Sequence, residues 1–422
     1  MEKKKILMLG AISAMKEIVL QAKASGLYVI VTDYLEDSPC KQYADESWML
    51  SIDDVDGIVT RCKERQVDGV MNYCIDPAQK PYQKICEKLG FPCVAGFEQF
   101  DVMTNKDKFA LYCQRYGVGT IPAQIYNRGG DLSGLGGLAY PVLIKPVDGR
   151  ASKGVVVCSC AKNLKESLDE SLSFSKQGRV LVQKYLSGKP EFCVKYFACD
   201  GEIFLTSMAD VFTCHTEDGR RVYLGTQTYP SRYYAEYLET THEKVIGMIK
   251  GLGIRNGATS FTGFYDSGEF RMFDPSLRMG GAQDWRIAAA ASGIDISDAL
   301  THFAITGSMG DVQVLRRVDK AMATRWSALL YVDLLPGKIK LFEGVELASR
   351  VEGVVGYHQC HFVGDEICGL GTADNVAIRF IISCATKDGL VEAIREVQAV
   401  IQIEDDNGCS QIAPHFNVDM LW

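Results

Sequence analysis

The segment FRMFDPSLRMGG, residues 270–281, spaces an acid, a small hydroxyl residue and an arginine by two, at Asp274, Ser276 and Arg278, directly after an apolar run. Alternate residues of a strand share one face. Such a face offers an anionic oxygen, a hydroxyl and a planar five-donor cation that stays charged, a set suited to a metal-bound polyphosphate or an acyl phosphate. The pair Gly280-Gly281 lets backbone amides approach the same oxygens, and Gln283 and Trp285 follow where a substrate could be read. Trp285 suits packing at the start of a helix over 285–292 better than a substrate contact.

A second phosphate-binding set lies upstream. In YPVLIKP, residues 140–146, Lys145 ends an apolar strand and is fixed by Pro146, so its ammonium could reach phosphates. The loop DGRASKGV, residues 148–155, offers the amides of Ser152, Lys153 and Gly154 as an anion-binding nest. A Walker loop is absent, since Gly188-Lys189 is followed by Pro190. In VLVQKYLSGKPEF, residues 180–192, the backbone from Gln183 through Lys184, Tyr185 and Leu186 could meet an adenine edge, with Glu191 placed for ribose hydroxyls. Taken singly, each has a plain alternative, a solvated lysine before a hairpin or a strand leaving the core.

These residues need rigid elements around them. The first hundred residues alternate expected strands at 6–9, 28–32, 67–72 and 91–94 with helices at 14–24, 58–65 and 79–89, which predicts a doubly wound parallel sheet. Gly10 lacks the further glycines of a dinucleotide fingerprint, and Asp33 reads as a cap. A helix over 106–115, a Gly-rich stretch at 129–137, strands at 142–145, 155–158 and 180–183 and a helix near 162–172 read as a small lid. Strands at 192–199 and 203–209, a helix near 233–250 and a hairpin at 258–274 follow. Beyond 331, strands within 334–346, 353–367 and 377–385 and a helix at 388–400 suggest an antiparallel β-rich cap.

Composition narrows the classes. The 422 residues are 47% hydrophobic with a net charge of −8, and no Lys/Arg run exceeds Lys3-Lys4-Lys5. That balance predicts small-molecule partners and no nucleic acid. No apolar run approaches the roughly 18 residues of a membrane span, and the N-terminal residues run straight into a strand, so no membrane association and a cytoplasmic location are expected. Fifteen cysteines without a CxxC read as reduced packing residues. His358, Cys360 and His361 in YHQCHF lack the pairing of a zinc site and read as strand residues. His215, in CHTEDGRR, reads as a loop residue that could meet an anionic substrate.

Together the segments resemble the ATP-grasp superfamily over most of the chain. The resemblance implies a combined α/β and α+β fold: a doubly wound N-terminal domain (1–104), an ATP-grasp domain (105–330) with a lid at about 120–183, and an antiparallel β-rich C-terminal domain (331–422) like that of biotin carboxylase. It implies Lys106 and Lys145 as phosphate-binding lysines, 150–155 as the lid loop, Gln183 to Leu186 as the adenine hinge and Glu191 as the ribose acid. The hairpin at 260–278 matches the family's metal hairpin with altered ligands. A three-residue loop centred on Gly268 would set Thr262 opposite Asp274, making Thr262, Asp274 and Ser276 the metal shell and leaving Asp274 its only carboxylate. A shifted register would bring in Asp266.

The implied cofactors are ATP and Mg2+, with Mn2+ able to stand in. The implied activity is ATP-dependent joining of a small carboxylate to an amine, with amino acids preferred, through an acyl phosphate that Arg278 stabilises. The alternatives are a nucleotide-binding regulator on a degenerate scaffold, or a purine-type enzyme activating formate or bicarbonate. A homodimer is expected by analogy alone.

Overall fold

The computed structural model describes residues 3–149, 153–186, 188–215, 221–223, 226–369 and 375–421, without the side chains of 214, 215 and 221–223. The N-terminal strands β1 (Lys5–Leu9), β2 (Tyr28–Thr32), β3 (Glu46–Trp48) and β4 (Gly69–Met71) form a parallel sheet of order β3-β2-β1-β4. The expected strand at 91–94 is absent, and β3, too short to read from sequence, takes a place in the sheet. Phe91 N–H closes the preceding helix on Cys86 O, and Pro92 has no N–H to donate to a ladder.

The lid is a second, antiparallel sheet of order β5-β8-β6-β7, built from β5 (Ala123–Asn127), β6 (Val142–Pro146), β7 (Val156–Cys158) and β8 (Arg179–Lys184). The helix Leu164–Ser173 buries Leu164, Leu168 and Leu172 against Val142, Ile144 and Val182 of this sheet. Its apolar stripe at a spacing of four is what holds the lid together.

The largest sheet has eight strands. It runs β15 (Glu269–Ser276), β14 (Gly257–Asp266), β9 (Glu191–Cys199), β10 (Glu202–Val211), β13 (Gln227–Tyr229), β16 (Trp326–Asp333), β20 (Val376–Cys384) and β18 (Val354–Gln359), with every neighbouring pair antiparallel. A separate β-ribbon pairs β11 (Cys214–His215) with β12 (Arg221–Tyr223). The C-terminal strands therefore extend the central sheet, and residue 330, the expected domain boundary, lies inside β16. Interior strand β20 reads AIRFIISC because both its faces are covered, one by the helix Lys387–Val400. A small sheet, β19 (Glu366–Ile367), β17 (Gly337–Glu343) and β21 (Gln402–Asp405), completes this end. No helix among the described residues is long and apolar enough to cross a membrane.

Candidate functional site

Three distant segments meet beside the lid. Lys106 opens the helix Lys106–Arg115, whose first N–H is tied to Val147 O at the end of β6. Its Nζ donates to Gly149 O at 2.7 Å and lies 3.4 Å from Asp274 Oδ1 on β15. Lys145 is 6% exposed and holds its ammonium 4.9 Å from the centre of the Phe273 ring. Burial pushes the Lys145 ammonium down to about 7; nearby Lys106 adds to the fall and Asp274 opposes it. The result is a concentrated positive pocket with one carboxylate.

The hairpin reaches the expected pairing by another route. Its turn has two residues, Ser267 and Gly268, both left-handed, and Asp266 pairs with Glu269. A regular ladder from that turn would set Thr262 against Phe273. A bulge between Gly263 and Thr262 makes Phe273 the extra residue, so Thr262 faces Asp274 after all. Phe273 is thereby freed to stack on Phe264, 5.0 Å between ring centres, beneath Lys145. Asp266 stays at the hairpin tip, paired with Lys189 Nζ at 2.7 Å and Arg271 Nε at 3.6 Å, so no second acid joins Asp274 from there.

On the lid, Gln183 and Leu186 are buried, Lys184 is exposed and Tyr185 is partly covered, its N–H reaching Pro141 O at 3.3 Å. Glu191, 9% exposed, starts β9 opposite Phe264. In the glycine loop, Ser152 lies outside the described residues. Lys153 is exposed, and Gly154 is anchored through its carbonyl, which accepts from Ser171 Oγ at 2.7 Å; a Cβ there would stand 2.6 Å from Phe174 Cβ.

Arg278 lies at the junction with the N-terminal sheet. Its Nε and Nη2 grip Asp76 at 2.7 and 2.6 Å, and Nη1 donates to Met279 O at 2.7 Å. The segment is docked by Leu277 N–H on Gln79 Oε1 at 3.1 Å and Met279 N–H on Tyr73 O at 3.0 Å. Arg278 is therefore held by an acid from the loop after β4, which sequence spacing could not connect to it. Trp285 is a packing residue: it is 7% exposed, with its indole N–H on Tyr73 OH at 2.5 Å, and so is unavailable to a substrate. Gln283 is fully buried with φ of 61° and no hydrogen bond to Oε1 among the described residues. His215 falls in β11, and its side chain is outside the described residues.

A buried ion pair joins Lys195 of β9, which the sequence did not mark, to Asp284, which lies between the candidate substrate residues Gln283 and Trp285. Burial opposes the Lys195 charge most strongly, but Asp284, Cys193 and Tyr331 together hold the ammonium above its ordinary range. Gly280 makes room for this pair, because a Cβ there would land on Asp284 Oδ1 and 3.0 Å from Lys195 Nζ. Gly280→Ala should lower stability by about 1–3 kcal/mol, the usual cost of overpacking. Asp284→Ala should cost more, about 3–5 kcal/mol, by stranding a buried charge. Denaturant unfolding of both variants checks the order.

His358 is 6% exposed with Nε2 3.4 Å from Ser13 Oγ, whereas His361 meets Asp365 at 3.2 Å. The two rings have separate partners. Burial, reinforced by Arg379, Lys16 and Arg286, pushes His358 down to about 4, so it is neutral at ordinary pH.

Asp274, Thr262 and Ser276 form an all-oxygen donor set, and Ser276 Oγ is buried with no hydrogen-bond partner among the described residues. One carboxylate and two hydroxyls fit Mg2+ only when phosphates and water complete the shell.

No family model matches the chain. It is 27% identical over 194 residues to formate-dependent phosphoribosylglycinamide formyltransferase of Prochlorococcus marinus, a match covering 45% of this chain and 49% of that protein. The chain thus spans about half the length of that curated relative. It is 24% identical over 298 residues to dapdiamide A synthase of Enterobacter agglomerans, covering 67% of this chain and 68% of that one. The crystal structure of L-amino acid ligase from Bacillus licheniformis superposes with a TM-score of 0.79 at 19% identity, over 96% of this chain and all of that one. The chain thus shares the fold of that ligase, and these likenesses support its resemblance to the ATP-grasp superfamily.

Proposed function

We propose that the protein is an ATP-dependent carboxylate–amine ligase forming an amide or peptide bond between small metabolites, with amino acids the favoured class. The observation that carries this reading is the meeting of Lys106, Lys145 and Asp274 in one pocket, with Arg278 further along the chain segment that leaves β15. The likeness to L-amino acid ligase and dapdiamide A synthase supports it. The setting that matches is the cytosol, with two small molecules as partners.

In this reading Gln183 to Leu186 hold the adenine, Glu191 the ribose, and Lys106 and Lys145 the phosphates. Lys153 and Gly154 border them from the lid. Asp274, Thr262 and Ser276 would hold Mg2+, or Mn2+ in its place, which would supply neutralisation of the phosphate charge. A substrate carboxylate oxygen attacks the γ-phosphorus as the β–γ bridge breaks, giving ADP and an acyl phosphate. Arg278 and the amides near Gly280 and Gly281 neutralise that group. An amine then attacks the acyl carbon, loses a proton and expels phosphate. The residues contribute position and charge, with no covalent enzyme intermediate.

The test is release of ADP and phosphate from MgATP with a panel of amino acids. If no mixture raises ADP above background while nucleotide still binds, the ligase reading fails. Turnover that needs one carboxylate and no amine would favour formate or bicarbonate activation, a reading that the formyltransferase likeness supports. With a single acid in the shell, Asp274→Asn should raise the Mg2+ concentration for half-maximal turnover by roughly tenfold or more.

A further inference from the structure

The cations around Gly280 and Gly281 are almost all neutralised by a neighbouring acid. Arg278 is held by Asp76, Lys195 by Asp284, and Arg286 by Glu17 at 2.8 Å. Arg379 is the exception. It stands on β20 between Tyr331 of β16 and His358 of β18, its direct cross-strand partners. Its Nη1 donates to Gly281 O at 2.9 Å, Nη2 lies 3.7 Å from the Cys360 sulfur, the guanidinium also hydrogen-bonds Tyr331, and Nε is buried with no partner among the described residues. Its guanidinium carbon lies 5.8 Å from the centre of the Tyr331 ring. It forms no ion pair among the described residues, and His358 beside it is neutral.

Position adds to the charge argument. Gly281 is three residues past Arg278, and a Cβ on Gly281 would lie 3.7 Å from Cys74 Sγ. The Cys74 thiol feels the charges of both Arg278 and Arg379. Cys74 thus lies within electrostatic reach of both guanidinium groups, and Arg379 is tied to the Gly280-Gly281 segment through the carbonyl of Gly281.

We propose that Arg379 receives a second substrate carboxylate, distinct from the one that is phosphorylated. This rests on the ligase reading. It restricts the substrate pair to one carrying a free acid beyond the new amide bond: an acceptor amino acid with its own carboxylate, or a dicarboxylic donor. Ammonia with a simple monocarboxylate lacks that group.

The test measures binding and turnover separately. The full chain, with Mg2+ and a non-hydrolysable ATP analogue, is titrated with L-amino acids and their α-amides, and with dicarboxylates and their monoamides. Wild type should bind an acid about 10–100-fold more tightly than its amide, the effect of a charge-assisted hydrogen bond. Arg379→Met should abolish that preference with ATP-analogue affinity unchanged, and Arg379→Lys should restore part of it. The pair showing the loss identifies the source, acceptor or donor. The inference is overturned if wild type binds no acid, or binds acids and amides alike, or if Arg379→Met and Arg379→Gln both keep the preference. Turnover with an unchanged acid preference in the variants leaves the ligase reading standing and removes this one. An Arg379-dependent preference without ADP release does the reverse.

Discussion

Arg278→Ala is expected to lower kcat by roughly 10²–10³-fold, the loss seen when one preorganised charge-stabilising donor is removed, while KM for ATP changes little. The reason is geometric. Arg278 lies past the end of β15, gripped through two nitrogens by Asp76 and through the third by Met279 O, away from the residues assigned to adenine and ribose. Its orientation is set before substrate arrives, so the charge can act without reorganising. Asp76→Asn keeps the hydrogen-bonding shape but removes the ionic anchor, and should lower kcat by a smaller factor. The double variant should then be no worse than Arg278→Ala alone, since residues that act as a unit are not additive. Steady-state kinetics of the three variants check this. Unchanged turnover in Arg278→Ala would remove its assigned role.

The second large effect is a proton. Burial and Lys106 hold the Lys145 ammonium near 7 in the nucleotide-free protein, against the counteracting pull of Asp274. A polyphosphate in the pocket adds negative charge and must raise that value. The sign follows: above about pH 7 the free protein has lost the proton that the complex keeps, so nucleotide binding takes a proton up. At pH 8 the uptake should approach one proton per site, and affinity should fall by up to about tenfold per pH unit above 7, levelling off once the proton also leaves the complex. Calorimetry in two buffers of different ionisation heat measures the uptake directly. Lys145→Met should show none and should lose more affinity at pH 6.5 than at pH 9. Heats independent of buffer in the wild type would end this account.

What was legible in the sequence had a local cause. Strands β1, β2, β9 and β10 announce themselves by apolar runs, and the helix Trp285–Ser292 by its stripe. Lys145 and Asp274 were marked by the apolar runs just before them, whereas Lys106 was reached only through the family resemblance. Partnerships across the chain were not readable. Asp76 meets Arg278, Asp284 meets Lys195 and Arg379 meets Gly281 through the docking of elements far apart in sequence. The short strand β3 and the inclusion of β16 in the central sheet have the same origin, since a neighbour's edge and not local preference decides them. Trp285 could be read from sequence as substrate contact or as packing, and its ring is needed by the core.

The extra residue at Phe273 has a consequence for how this hairpin can change. Side chains along a strand alternate, so one unmatched residue acts as a parity switch: everything C-terminal to it faces the opposite way from an unbulged ladder. The tip at Ser267-Gly268 can exchange residues while the facing pair is preserved. Removing Phe273 alone would take out the unmatched residue itself: Gly263–Met272 and Thr262–Asp274 would become successive pairs of a regular ladder, keeping Asp274 on Thr262 and losing the ring that stacks on Phe264 beneath Lys145. The bulge thus absorbs one extra residue without moving the facing pair, and what that residue adds is the ring under Lys145.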